Sequence, residues 1–193
     1  MIDPTKVTNF NRTPKEIEEF MLFSVVVAGK SAFQQAEKLH QFITKFDNSY
    51  SPFGVIRTMD MDGTLDFFLR EVKMGQYDRI GTAFRALAHF YRHDENYERY
   101  HPLKEVSLKY LECIKGIGMK TARFFVLHTR QYQQVACLDT HILKWLGERG
   151  HEVPKSTPRG EKYLQLEKIF LDYCKDMGKL PSQLDLEIWN SKH

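Results

Sequence analysis

The chain has 193 residues, 42% apolar and 27% charged, enough to bury the core of one domain or of two small lobes. A formal charge of only +3 permits a nucleic-acid partner without requiring one, and Cys113, Cys137 and Cys174, odd in number and widely spaced, exclude a disulfide framework. The apolar run from Met21 to Ala28 is too short to span a bilayer, and Met1-Ile2-Asp3-Pro4 does not open a secretory signal, so the expected setting is the cytoplasm or nucleoid, with no membrane partner.

In chain order, Thr13-Pro14 predicts a capped helix whose first turn holds Glu16, Glu18 and Glu19. A second helix is expected from about Ser31 through Ile43, with Phe33, Ala36, Leu39, Phe42 and Ile43 on a broad apolar face. Asp47 to Gly54 reads as turn-rich, and Asp60 to Gly63 as another punctuated segment. Helical patterns follow over Leu65–Val72, Asp78–Phe90 and Leu103–Ile114, then from near Met119, where Ala122, Phe125 and Val126 fall at spacings of three and four. Asp139–Gly150 continues the series. A polar loop from His151 to Gly160 with two prolines precedes Glu161–Met177 and Leu184–Asn190. No segment reads as a strand, and no repeat or low-complexity tract interrupts the pattern, so the predicted fold class is all-α. The three cysteines are expected to be small buried apolar groups.

The most informative segment is Leu111-Glu112-Cys113-Ile114-Lys115-Gly116-Ile117-Gly118-Met119-Lys120-Thr121-Ala122. Gly116 and Gly118 bracket Ile117, so the backbone can take positive φ and approach another chain closely. The first N–H groups of the helix that follows lack intrahelical partners and carry partial positive charge, a ready site for phosphate. Between Lys104 and Arg130 six basic residues face two acidic ones, net +4, which leaves the rest of the chain near −1. Basic charge concentrated in this way fits contact with a duplex backbone. Asp139 follows Lys120 by nineteen positions and stands where the N-cap of the next helix is expected. Taken singly, the glycines could form only a packing turn and Lys120 could only grip a phosphate. The conjunction of hairpin, Lys and Asp in this order points further.

Gly116-Ile117-Gly118-Met119-Lys120-Thr121-Ala122 and Asp139-Thr140-His141 resemble the core of the helix-hairpin-helix DNA glycosylase superfamily, which includes endonuclease III and the 8-oxoguanine DNA glycosylases. Weaker resemblance extends to Leu22–Lys30 and to Gly75-Gln76-Tyr77-Asp78-Arg79. It implies a two-lobed helical fold: residues 1–29 with 132–193 as one lobe, residues 30–131 as a barrel lobe carrying the hairpin at about 107–130, and a cleft between them. Endonuclease III carries a four-cysteine iron–sulfur cluster. Three cysteines cannot build one, so the resemblance points to cluster-free branches without a cofactor. The eight histidines show no metal-ligand spacing, and no metal is expected beyond a monovalent cation on hairpin carbonyls when DNA is bound.

A Lys at the hairpin position implies glycosylase and AP lyase activity together. Lys120 would attack the sugar C1′ and displace the base, leaving a Schiff base, and elimination at C2′ would break the 3′ phosphate bond. Asp139 would stabilise the developing positive charge and accept a proton from Lys120. The implied partner is double-stranded DNA with a damaged or modified base turned out of the stack, held by a monomer. DNA contacts are expected at Lys30, Lys115, Gly116, Gly118, Thr121 and Arg123, and a base pocket at Gln34 (or its neighbour Gln35), Tyr77, Asp185 and Trp189. The base best fitting the resemblance is 8-oxoguanine. A glycosylase excising a hypermodified base from viral DNA, and a non-catalytic DNA-binding module, are the alternatives.

Overall fold

Capping chemistry sets where the helices begin. In the computed structural model, which describes residues 1–46, 50–89 and 102–191, Thr13 accepts from the backbone of Glu16 while the Glu16 carboxylate accepts from the backbone of Thr13, a reciprocal box that starts α1 (Pro14–Val26). The series continues with α2 (Ala32–Ile43), α3 (Pro52–Met61), α4 (Leu65–Glu71), α5 (Tyr77–Ala88), α6 (Leu108–Cys113), α7 (Met119–Thr129), α8 (Thr140–Gly147), α9 (Gly160–Asp176) and α10 (Pro181–Asn190). Single 3₁₀ turns lie at Pro4–Lys6 and Pro102–Lys104. Among the described residues there is no strand, and the fold is all-α. No described helix is long and apolar enough to cross a membrane.

Three differences from the sequence expectation have local causes. Helix α3 was hidden by Pro52 and Gly54, which read as turn residues; Pro52 occupies the first helical turn, where its missing N–H costs nothing, and Ser51 accepts from the N–H of Gly54 as N-cap. The expected helix over Leu103–Ile114 is divided, because Ser107 caps a new start by accepting from Tyr110. Helix α10 starts at Pro181 rather than Leu184. The turn-rich start at Asp47 and the helix end at Phe90 lie outside the described residues.

Packing divides the chain into two compact units. The first comprises residues 1–4 and 11–118. Its centre is α1, buried over most of its circumference and packed on α2, α3 and α5, with Phe20, Phe23, Phe42, Phe53 and Phe84 in the core. The buried carboxylate of Glu18 is satisfied by the N–H of Phe53, one of the unpaired donors at the start of α3. The second unit comprises residues 5–10 and 119–193. Here α10 packs on α7, α8 and α9 around Leu138, Trp145, Leu146, Tyr163, Phe170 and Ile188. Cys137 and Cys174 are buried as expected, whereas Cys113, at the end of the short helix α6, is exposed.

Candidate active site

Within the first unit the hairpin is a turn in which the N–H of Ile117 donates to the carbonyl of Ile114 at 3.0 Å, with Gly116 at φ +84° in its third position. The two glycines are there for different reasons. A Cβ on Gly116 would stand 2.8 Å from the Ala83 Cβ and 2.9 Å from the Arg79 carbonyl, so the close approach it permits is to α5. Gly118 has no positive φ, and a Cβ there would meet nothing within 4 Å. The backbone at Gly118 is therefore open to an incoming chain. Arg79 fastens the turn: its guanidinium donates to the carbonyls of Val25 at 2.9 Å and Gly116 at 3.4 Å and to the Gln76 amide oxygen at 2.7 Å.

The remaining candidates of this unit vary in their freedom. Lys115 is exposed. The Lys30 ammonium donates to the carbonyls of Met74 at 2.7 Å and Gly75 at 3.2 Å; burial, then Arg79 and Lys38, lowers its pKa to about 8. Tyr77 is half-buried with the Arg70 guanidinium 4.7 Å above its ring. Gln34 is exposed. Its neighbour Gln35 is the buried one, and its amide oxygen has no hydrogen-bond partner among the described residues.

The second unit brings the two expected reactive groups together. Lys120 stands half-buried in the first turn of α7. Asp139 is the N-cap of α8, and one oxygen, Oδ1, accepts from both His141 and Ile142 at 2.9 Å. That leaves Oδ2 without a hydrogen bond to the described residues. Burial, with the negative charge of Asp185 next, holds the Asp139 carboxyl above the ordinary carboxylate range; the Ile142 N–H, His141 and Lys120 pull the other way. The buried Cys137 thiol, pushed well up by burial, also feels Asp185, Asp139 and Lys120, so the four side chains share one neighbourhood. Asp185 is itself buried, with its Oδ2 3.2 Å from His128 Nε2, while His128 Nδ1 lies 2.8 Å from the Thr8 hydroxyl. Trp189, one turn on from Asp185 in α10, is half-buried.

Thr121 and Arg123, expected to touch DNA, are buried. Arg123 is committed to Glu167, Nε to Oε1 at 2.7 Å, and its guanidinium stacks 4.7 Å over the Tyr163 ring. Lysine and arginine counts alone do not distinguish such an internal pair from a phosphate contact. Sequence reading missed His128, Tyr163 and Glu167 entirely, since ordinary helical residues at ordinary spacings carry no signal until the helices pack.

The chain is similar to known proteins in both sequence and fold. The family model described as 8-oxoguanine DNA glycosylase matches residues 80–179. A protein of Methanocaldococcus jannaschii named 8-oxoguanine DNA glycosylase/AP lyase is 44% identical over 78 residues, covering 39% of this chain and 37% of that protein. A protein of the same name from Thermoplasma volcanium is 40% identical over 79 residues, covering 41% and 37%. Each match thus spans little more than a third of the curated relative. Among solved structures, the M. jannaschii 8-oxoguanine DNA glycosylase superposes with a TM-score of 0.69 at 24% identity over 97% of this chain and 83% of its own. The Thermotoga maritima enzyme gives 0.64 at 22% identity over 92% and 79%. A complex of the M. jannaschii protein with a 15mer DNA containing 8-oxoguanine gives 0.64 at 23% over 93% and 81%. At these identities the likeness establishes the fold.

Proposed function

We propose, for a chain that belongs to the 8-oxoguanine DNA glycosylase family, that it excises an oxidised purine, 8-oxoguanine, from duplex DNA and then nicks the strand. The observation that carries this reading is the placement of Lys120 and Asp139 in one unit, close enough for the ammonium to act on the carboxyl. Base removal requires the nucleotide to leave the stack, because C1′ is shielded within a duplex. The neutral Lys120 amine forms a bond to C1′ as the bond from C1′ to the base breaks, and the base departs with the bonding pair. Loss of a proton from the nitrogen gives an aminal at C1′. The C1′–O4′ bond then breaks as O4′ takes up a proton, which opens the sugar ring and leaves the Schiff base, and removal of a C2′ proton expels the 3′ phosphate.

Asp139 serves this sequence with Oδ2, the oxygen not used in capping α8. An ionised Asp139 offsets the positive charge that grows on the sugar, and its raised proton affinity makes it a better acceptor for a Lys120 proton. The nucleophile is a side chain of the protein, so the chemistry calls on no resident cofactor. The open backbone at Gly118 and the exposed Lys115 supply phosphate contacts. Lys30 would have to release two carbonyls to reach DNA, and the reading does not depend on it. A monomer acting on chromosomal DNA in the cytoplasm completes the proposal.

The test is a panel of duplexes, each bearing one lesion or modified base, assayed for strand cleavage with and without alkali. Cleavage of the 8-oxoguanine duplex without alkali supports the reading. Cleavage only after alkali would remove the lyase step, and cleavage confined to a different base would replace the substrate.

A further inference from the structure

The residues just before Asp139 belong to neither a helix nor a strand, yet side chains of α9 pair their backbone groups. The Tyr163 hydroxyl donates to the Ala136 carbonyl at 2.7 Å and accepts from the Leu138 N–H at 3.1 Å. One turn along α9, Glu167 Oε1 accepts from the Ala136 N–H at 2.8 Å. The same oxygen accepts from Arg123 Nε at 2.7 Å, and Arg123 lies three residues beyond Lys120 on α7. Two side chains of α9 therefore grip both the segment that delivers Asp139 and the helix that delivers Lys120. All three of Tyr163, Glu167 and Arg123 are buried.

We propose that Tyr163 and Glu167 are positioning residues that hold Asp139 in register with Lys120; this rests on the reaction assigned to that pair above. A buried ion pair contributes little net stability compared with apolar side chains of the same volume, while it fixes geometry strongly. Here one carboxylate oxygen is shared between the two elements, so a shift of either is felt by the other. Both side chains are buried, and the role assigned to them is to position Asp139 rather than to react. Displacement of a catalytic group by about 1 Å costs on the order of 100-fold in rate.

Tyr163→Phe is the sharpest variant, since it keeps the ring beneath Arg123 and removes only the hydroxyl that bridges Ala136 and Leu138. Three quantities are read: the single-turnover rate on an 8-oxoguanine duplex, the dissociation constant for a duplex carrying an abasic-site analogue, and the carboxyl titration of Asp139 followed by carbon-13 NMR. That titration reports burial together with Asp185 from α10, Lys120 from α7 and His141 from its own helix. The expected result is a rate lowered about 100-fold, DNA affinity within about twofold of wild type, and an Asp139 titration moved toward the ordinary carboxylate range as the loosened segment admits water. Glu167→Gln, which keeps an oxygen for Ala136 and removes the charge, is expected to lie between wild type and Tyr163→Phe, and it replaces that variant if Tyr163→Phe does not fold. A wild-type rate with an unmoved titration in a folded variant overturns the proposal. So does a rate loss no larger than the fall in folded fraction. If the wild type neither cuts nor is trapped on any duplex, the reaction reading fails by itself; the titration then decides the positioning role, an unmoved Asp139 overturning it.

Discussion

His128 Nε2 lies 3.2 Å from Asp185 Oδ2 in a buried polar contact, and Asp185 in turn acts on the Asp139 carboxyl. Burial is the larger cause of the raised Asp139 proton affinity, with the Asp185 charge second. Cleavage that needs ionised Asp139 should decline as pH falls through its pKa. Asp185→Asn removes the neighbouring negative charge, so Asp139 ionises at lower pH and the acid limb of the single-turnover profile should move down. An unmoved limb would mean that Asp139 does not set it.

The same shift has a consequence for stability. A carboxyl whose folded-state pKa lies above its unfolded value favours folding fully below the unfolded pKa, and loses that contribution as pH rises through the folded one. Ionised Asp139 therefore costs stability at neutral pH. Asp139→Asn retains an acceptor for the His141 and Ile142 N–H groups and removes the charge, so it should melt above wild type at pH 7, with the difference closing in acid. Its cleavage rate should fall by about 10²–10⁴-fold. Asp139→Ala loses the cap as well and should be less stable than Asp139→Asn by about 1 kcal/mol. Thermal melts across pH check both variants.

The two hairpin glycines should respond oppositely to alanine. Gly116→Ala places a Cβ against Ala83 and the Arg79 carbonyl at a positive φ, and should cost about 1–3 kcal/mol. Gly118→Ala should stay within about 0.5 kcal/mol of wild type in denaturant unfolding. Its effect should fall on duplex affinity, where the added methyl stands in the path of an approaching phosphate.

The basic residues near the hairpin should separate just as clearly. Lys115→Ala, at an exposed position, should weaken duplex binding regardless of sequence and reduce the slope of log affinity against log salt by about 0.9. Arg123→Ala should leave the slope unchanged and destabilise the fold by about 3–5 kcal/mol, because it strands the buried Glu167 carboxylate. Salt titrations and denaturant curves on the two proteins decide this.

How much of this was legible in the sequence differs by residue. Thr13-Pro14 with Glu16 announces a helix start because capping is local chemistry, and Asp139 before Thr140 does the same. Pro52 and Gly54 mislead because the residues that start a helix also make turns, and only burial of Phe53, Val55 and Ile56 decides for α3. The hairpin, Lys120 and Asp139 are short-range patterns with a fixed order, so they can be read directly. Whether Arg123 faces a phosphate or Glu167 depends on a partner 44 positions away. The roles of Tyr163 and His128 likewise arise only when α7, α9, α10 and the Asp139 segment meet, information that no local window contains.

The claim on which the account depends is that Lys120 becomes covalently joined to the deoxyribose. Borohydride reduction during incubation with an 8-oxoguanine duplex, followed by peptide mapping of the adduct, tests it directly. The account predicts a stable protein–DNA adduct carried by Lys120 in the wild type, and none with Lys120→Gln although that protein still binds the duplex. An adduct on another residue, or cleavage by the wild type with no trapped species, would contradict it.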